Sequence, residues 1–257
     1  MSLMSEQERP ADSPFATKIR RVQFTHAVQE TVAPDGSWDM LFIWRNGELL
    51  VLQTGQIAAP VVADWSPGDT LLSISFRPEV YMPQRPGRMT AHQGVVCPLD
   101  GHRHHWLGHE RLEVPSFDNA EQFVQRLAAR GVIERDRIVR RALDGALREL
   151  DDRTMQRHFA EVTGLSAKTF QQVLRADAAA KRLGAGQPPA SVAADLGFAD
   201  QAHLTNSLKR ILGRTPGRIV QGAQQSKRQT DAGPIADTGT RSVDSLSAQV
   251  AAVPDRA

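Results

Sequence analysis

The chain holds one cysteine and one tyrosine in 257 residues, and no apolar run near the ~20 residues a membrane-spanning helix requires. A lone Cys97 excludes an internal disulfide framework and any zinc or iron–sulfur site built from several cysteines of this chain. Its expected state is a buried, inert thiol. Also missing are a Gly-rich phosphate loop, a Gly-x-Ser-x-Gly elbow and a His-Glu-x-x-His pair, and the carboxylates show no pairing that spacing identifies. The opening MSLMSEQERPADSPF lacks the charged-then-apolar plan of a signal peptide. Together these absences lead to the expectation of a soluble, cytoplasmic protein that is not an enzyme, needs no cofactor and has no membrane partner.

What is there is unevenly placed. The net charge is only +2, yet residues 1–130 carry 12 Lys/Arg against 15 Asp/Glu, residues 131–222 carry 15 against 10, and residues 223–257 carry 4 against 4. Between Arg153 and Gly222 the count is 10 basic to 4 acidic, an asymmetry that suits a polyanionic partner.

Hydrophobic periodicity divides the chain into an α+β arrangement. Residues 1–18 are polar with two prolines and read as a flexible arm. Residues 19–115 read as short strands: VQFTHAV, then DMLFIW and LLVLQ joined through Asn46-Gly47, a hairpin signal because both central positions of a type I′ turn need positive φ. The expected architecture is an antiparallel β sandwich or barrel, with a cupin-like barrel as one form. Residues 116–135 form a helical connector, with Asp118 as cap and Gly131 as stop. Residues 136–222 are all helix, beginning with a helix over about Asp136 to Leu147, and residues 223–257 have the composition of a disordered tail.

The helical part contains a repeat. An offset of 49 residues pairs Asp151 with Asp200, Met155 with Leu204, Phe159 with Leu208, Val162 with Ile211 and Gly164 with Gly213. Each copy has an Asp cap, apolar residues at i, i+4 and i+7, and a Gly stop, and each follows a short helix. Two helix-turn-helix units result. Burying Leu204, Leu208 and Ile211 leaves Gln201, Ala202, Thr205, Asn206 and Lys209 outward; burying Met155, Phe159 and Val162 leaves Arg153, Gln156 and Arg157 outward. Arg reads guanine, Gln reads adenine and a Thr methyl meets thymine, so both faces hold the side chains that major-groove readout uses. Between the units, SAKTFQQVLRADAAAKRL predicts one helix capped by Ser166, with Phe170, Val173, Leu174 and Ala178 inward, spanning about 27 Å at ~1.5 Å per residue.

GLSAKTFQQVLRADAAAKRL followed by SVAADLGFADQAHLTNSLKRILGRTPGRI resembles the DNA-binding domain of the AraC/XylS family of bacterial transcription regulators, over about 75 residues. Gly197-Phe198, Asp200-Gln201, Leu204, Lys209, Gly213 and Thr215-Pro216 carry the likeness. The resemblance implies double-stranded DNA as partner, with base contacts from the positions of Arg153, Gln156, Arg157, Gln201, Ala202, Thr205 and Asn206. PDGSWDMLFIW and SFRPE look like an N-terminal domain of some of these regulators, which implies a small-molecule effector or homodimerisation; RNA polymerase is a further partner the family allows. Asp144 and Arg148 stand where the second unit has Ala193 and Gly197, so the first unit's scaffold helix is either shifted, with Gly145 at the crossing, or poorly packed.

The rival signal is GHRHHWLGH, where His102, His104, His105 and His109 flank Trp106. Such a run can ligate zinc, copper or nickel in a cupin-type enzyme or sensor, or gain charge near pH 6.5. It lies between glycines and lacks a placed carboxylate, so the favoured expectation is a polar surface loop with no metal. Trp38, Trp44, Trp65 and Trp106 line a pocket or, on the favoured reading, fill a core.

Overall fold

The computed structural model describes residues 4–144 and 153–231. Its N-terminal half runs β1 (Met4–Pro10), β2 (Ala16–Phe24), β3 (Val28–Val32), β4 (Trp38–Arg45), β5 (Glu48–Thr54), β6 (Val61–Trp65), β7 (Thr70–Phe76), β8 (Val80–Tyr81), a 3-10 turn (Gly87–Met89), β9 (Gly94–Val96), β10 (Leu99–Asp100), β11 (His104–Leu107) and β12 (Glu110–Glu113). Then come α1 (Ala120–Ala129), β13 (Glu134–Arg135), α2 (Arg137–Leu143), α3 (Arg153–Thr163), α4 (Ala167–Gly184), α5 (Pro189–Asp195), α6 (Gln201–Leu212) and α7 (Pro216–Asp231).

Six strands form an antiparallel sheet in the order β1-β2-β7-β4-β5-β9. Alternation along β4 sends Trp38, Met40 and Phe42 to one face and Leu41 and Ile43 to the other. The first face packs on Leu107, Leu112 and the Phe123, Val124, Leu127 stripe of α1. The second is covered by the β3–β6 ribbon, whose Trp65 stacks on Phe24 with ring centroids 4.5 Å apart. With both faces covered, the sheet is a sandwich rather than a closed barrel. The β4–β5 turn is as the Asn-Gly pair predicts: Asn46 has φ 53°, Gly47 φ 81°, and Arg45 pairs with Glu48 across it.

Four expectations need correction. Residues 1–18 are not a loose arm: β1 pairs with β2 from Met4↔Phe24 to Pro10↔Lys18, and Arg9 ties it to α1 by pairing with Glu121 and donating to the Phe117 carbonyl at 2.8 Å. As an edge strand exposed along most of its length, β1 shows no apolar alternation, and its charges pair across the strand instead, Glu6 with Arg20 at 2.5 Å. The connector helix starts after Asn119 rather than Asp118. Helix α7 carries on to Asp231 through AQQSKRQTD, made largely of good helix formers, so the expected tail is helical at its start; residues 232–257 lie outside the described part. The histidine run is not wholly a surface loop, because the pleat of β11 turns His105 inward to 0% exposure while His102 and His109 stay exposed.

His105 packs edge-on against Phe42 at 5.4 Å, and neither ring nitrogen has a hydrogen-bond partner. Burial first, and the neighbouring His104 second, push its pKa down to about 4. Across the sheet the Asp39 carboxyl is pushed up to about 6 by burial and by Asp35, against the 2.5 Å hydrogen bond that Ser75 donates to it. Among the described residues no three His, Cys, Asp or Glu side chains gather as a metal site. Cys97 is buried and its thiol is pushed up by burial, as expected for an inert thiol. Trp38 and Trp65 are core, Trp44 packs at its border, and Trp106 is 37% exposed.

The two titrations have opposite signs. The unfolded state binds a proton at His105 near pH 6.5 while the fold resists until about 4, so acidification across that range removes stability; Asp39 gains stability over much of the same range. The whole-protein pH profile therefore hides both. Relative to the parent, His105→Leu should become more stable as the pH falls from 6.5 to 4, by on the order of 3 kcal/mol at the low end. Urea unfolding at stepped pH measures this, and a difference that does not change with pH refutes it.

Candidate nucleic-acid interface

Two apolar cores organise the helical half. One gathers Val139 and Ala142 of α2, Phe159 and Val162 of α3, and Phe170 of α4. The other gathers Val173, Ala176, Ala179 and Leu183 of α4 with Val192 and Ala193 of α5 and Leu204, Leu208 and Ile211 of α6. Helix α4 has the expected Ser166 cap, with the hydroxyl accepting from Thr169 N at 3.1 Å. Its inner stripe differs from expectation: Ala176, Ala179 and Leu183 are buried, and Leu174 and Ala178 are only half-buried. Serving two cores, α4 must turn its apolar stripe along its length.

In the second unit Pro189 opens α5, Ala193 is 3% exposed at the crossing with α6, and Gly197 turns the chain at φ 70°. Asp200 caps α6, accepting from His203 N at 2.6 Å, and Gly213 ends it at φ 68°. Two side chains that spacing did not single out hold this turn. Arg175 of α4 donates to the Gly197 carbonyl at 3.3 Å and lies 4.5 Å above the Phe198 ring, and His203 Nδ1 accepts from Ala199 N at 3.2 Å. Both contacts depend on the folded turn, and no local pattern announces them.

The first unit is built alike with one displacement. Helix α3 matches α6 under the 49-residue offset, but α2 starts three residues earlier than α5 would place it, and Ala142 is its small buried residue. Of the two alternatives, the scaffold helix is the shifted one; Gly145, Arg148 and the Asp151 cap lie outside the described residues. Asp136 fixes this helix pair. One carboxylate oxygen accepts from Ile138 N and Val139 N at 2.9 and 2.8 Å, and the other meets His158 Nε2 of α3 at 2.7 Å.

The structure leaves the expected reading residues outward on both helices. Arg153, Gln156 and Arg157 are exposed on α3, and Gln201, Ala202, Asn206 and Lys209 are exposed on α6. Thr205 is half-buried, with its hydroxyl donating to the Gln201 carbonyl at 2.9 Å. No carboxylate interrupts the α6 face after its cap, whereas α3 carries Glu161 one turn beyond Arg157.

A family model for a helix-turn-helix domain matches residues 149–222. This stretch is a helix-turn-helix domain. The matched span takes in α3 to α6 and leaves α2 outside. Over most of its length the chain is similar in structure to ToxT from Vibrio cholerae. The structure of the O395 protein bound to (E)-4-(8-methylnaphthalen-1-yl)but-3-enoic acid has a TM-score of 0.44 at 9% identity, covering 85% of this chain and 99% of that one. A P21 crystal form of ToxT gives 0.42 at 9% identity, covering 84% and 98%. No curated protein matches this chain.

The caps of α6 and of α2 differ in what they hold. Asp200→Ala removes one cap bond and should cost about 1 kcal/mol, whereas Asp136→Ala removes two and strands His158, costing about 2 kcal/mol or more. Denaturant unfolding of the full chain gives both values, and equal losses would mean that neither the second cap bond nor the His158 contact adds stability.

Proposed function

We propose that the chain is a sequence-specific DNA-binding transcription regulator, not an enzyme, that reads two adjacent major-groove segments with α3 and α6. The observation that carries this reading is the pair of outward faces on matching helices of an AraC-type domain, one with Arg153, Gln156 and Arg157 and the other with Gln201, Ala202, Thr205, Asn206 and Lys209. Arg and Gln give bidentate contacts to guanine and adenine edges, and the Thr205 methyl meets thymine. Lys209 and the arginines outside the groove hold phosphate. Helix α4, ~27 Å long at ~1.5 Å per residue, sets the units roughly one helical turn of DNA apart, ~34 Å, on one face of the duplex. A chain with this function works in the cytoplasm, with RNA polymerase and a second copy as further partners.

The β domain supplies control in this reading, through a small-molecule effector. A cleft of about 10 Å³ lies on its seam with α3, lined by Trp38, Gln56, Tyr81, Arg85 and Thr90 on one side and Val162 and Thr163 on the other, and the Gln56 side-chain oxygen is buried there without a partner. That volume holds about one water. An effector larger than this binds a form in which the seam has opened, and so acts directly on the mounting of α3.

Selection of bound sites from random duplexes at ~150 mM salt should enrich two short blocks about 10 base pairs apart. Gln201→Ala or Arg157→Ala should relax preference at one base position at a cost of about 1–3 kcal/mol, and Lys209→Ala should weaken all sequences alike while lowering the salt slope by about one. Equal losses on selected and random DNA for all three variants would refute the assignment.

A further inference from the structure

Helix α3 carries a stripe at i, i+4 and i+8: Arg153, Arg157, Glu161. The last member is out of keeping with the rest. A carboxylate in the final turns of a helix faces the negative end of the dipole, and one in line with groove-reading arginines faces phosphate. Its partner explains it. Arg88, from the 3-10 turn of the β domain, places Nε 2.5 Å from the Glu161 carboxylate, and its side chain remains 61% exposed.

The turn that bears Arg88 is packed closely on the end of α3. A Cβ on Gly87 would lie 2.4 Å from the Val162 carbonyl oxygen, and one on Gly164 would lie 2.5 Å from the Gly87 oxygen and 2.7 Å from the Ala91 methyl. Backbone rests on backbone at this point. Along the helix, Glu161 stands about 12 Å from Arg153 at ~1.5 Å per residue, farther than the ~8.5 Å depth of the major groove that the N-terminal end of a reading helix enters. With Arg153 and Arg157 in the groove, the Arg88–Glu161 pair stands at its rim, where the phosphates run.

We infer that Arg88 is a DNA-backbone contact contributed by the β domain, with Glu161 as the positioning residue that holds its guanidinium at the groove rim. This rests on the DNA-binding reading above and extends it, since the β domain then forms part of the DNA interface as well as the site of control. The occupant is the phosphodiester backbone of duplex DNA, matched by charge and by place.

The test uses the full-length protein and a selected duplex, with affinity measured by fluorescence anisotropy across a salt series, for Arg88→Ala, Arg88→Lys, Glu161→Gln and the Arg88→Ala/Glu161→Gln double variant. Thermal unfolding checks that each variant is folded. Arg88→Ala should weaken binding roughly three- to tenfold on selected and random duplexes alike and lower the salt slope by about one, with Arg88→Lys recovering most of the slope. The double variant should keep the lowered slope. The inference is overturned if Arg88→Ala leaves affinity or slope unchanged, or if the double variant regains both, in which case Arg88 only shields Glu161. Failure of the parent protein to bind any selected duplex would instead overturn the DNA-binding reading.

Discussion

Helix α4 belongs to two cores at once, and that constraint sets the geometry of everything C-terminal to the sheet. Phe170 near its start meets Phe159 edge-on with ring centroids 5.5 Å apart, while Val173 to Leu183 serve the core of the second unit. A helix shared in this way behaves as a rod, so the distance and rotation between α3 and α6 are set by packing rather than by a linker. The cost shows in its sequence: three of the five buried positions from Phe170 to Leu183 are large, and the other two, Ala176 and Ala179, are small enough for close approach of α5 and α6. Enlarging either alanine would push the second unit away from α4 and change the angle between α3 and α6.

Much of this was legible in the sequence because it is local. A cap and its N–H donor are three residues apart, an Asn-Gly turn needs only its own φ values, and the face a helix exposes follows from its period; Ser166, Asp200, Gly213 and the outward Gln201, Ala202, Asn206 and Lys209 stand as spacing predicts, with Thr205 half-buried. What escaped is non-local. Strand β1 gave no alternating signal because neither of its faces is covered along most of its length, and its partner contacts depend on which strand lies beside it. His105 looked like one more polar residue in a histidine run, and only the position of β11 over Phe42 and Phe123 turned it inward. The inner stripe of α4 departs from its period at Leu174 and Ala178 because one period cannot describe a helix that turns between two cores. The contact of Arg88 with Glu161 spans 73 residues of chain and two domains, and nothing in either local sequence points to the other.

The seam between the halves is of an unusual kind for joined domains, which generally meet through side chains and slide. Here glycines let main chain touch main chain at Gly87 and Gly164, and a Cβ on Gly55 would fall 1.9 Å from the Thr90 oxygen, so the 3-10 turn is gripped from the sheet side as well. Gly164 sits at φ 78° and ends α3, so the residue that stops this helix also admits the β domain. Sequence places a glycine there for the helix stop alone; the structure gives it a second duty.

The loop between β5 and β6 extends this grip to both units. Ala58 packs against the cores of the first and the second unit, and Pro60 lies under Gly213, where a Cβ would approach its ring to 3.2 Å. One segment of the β domain therefore touches the end of α6, while the neighbouring 3-10 turn holds the end of α3. A shift of this loop relative to α4 displaces both supports in the same event, since packed elements move as bodies rather than deform gradually. A movement of the β domain would then act on the mountings of α3 and α6 together rather than on one of them.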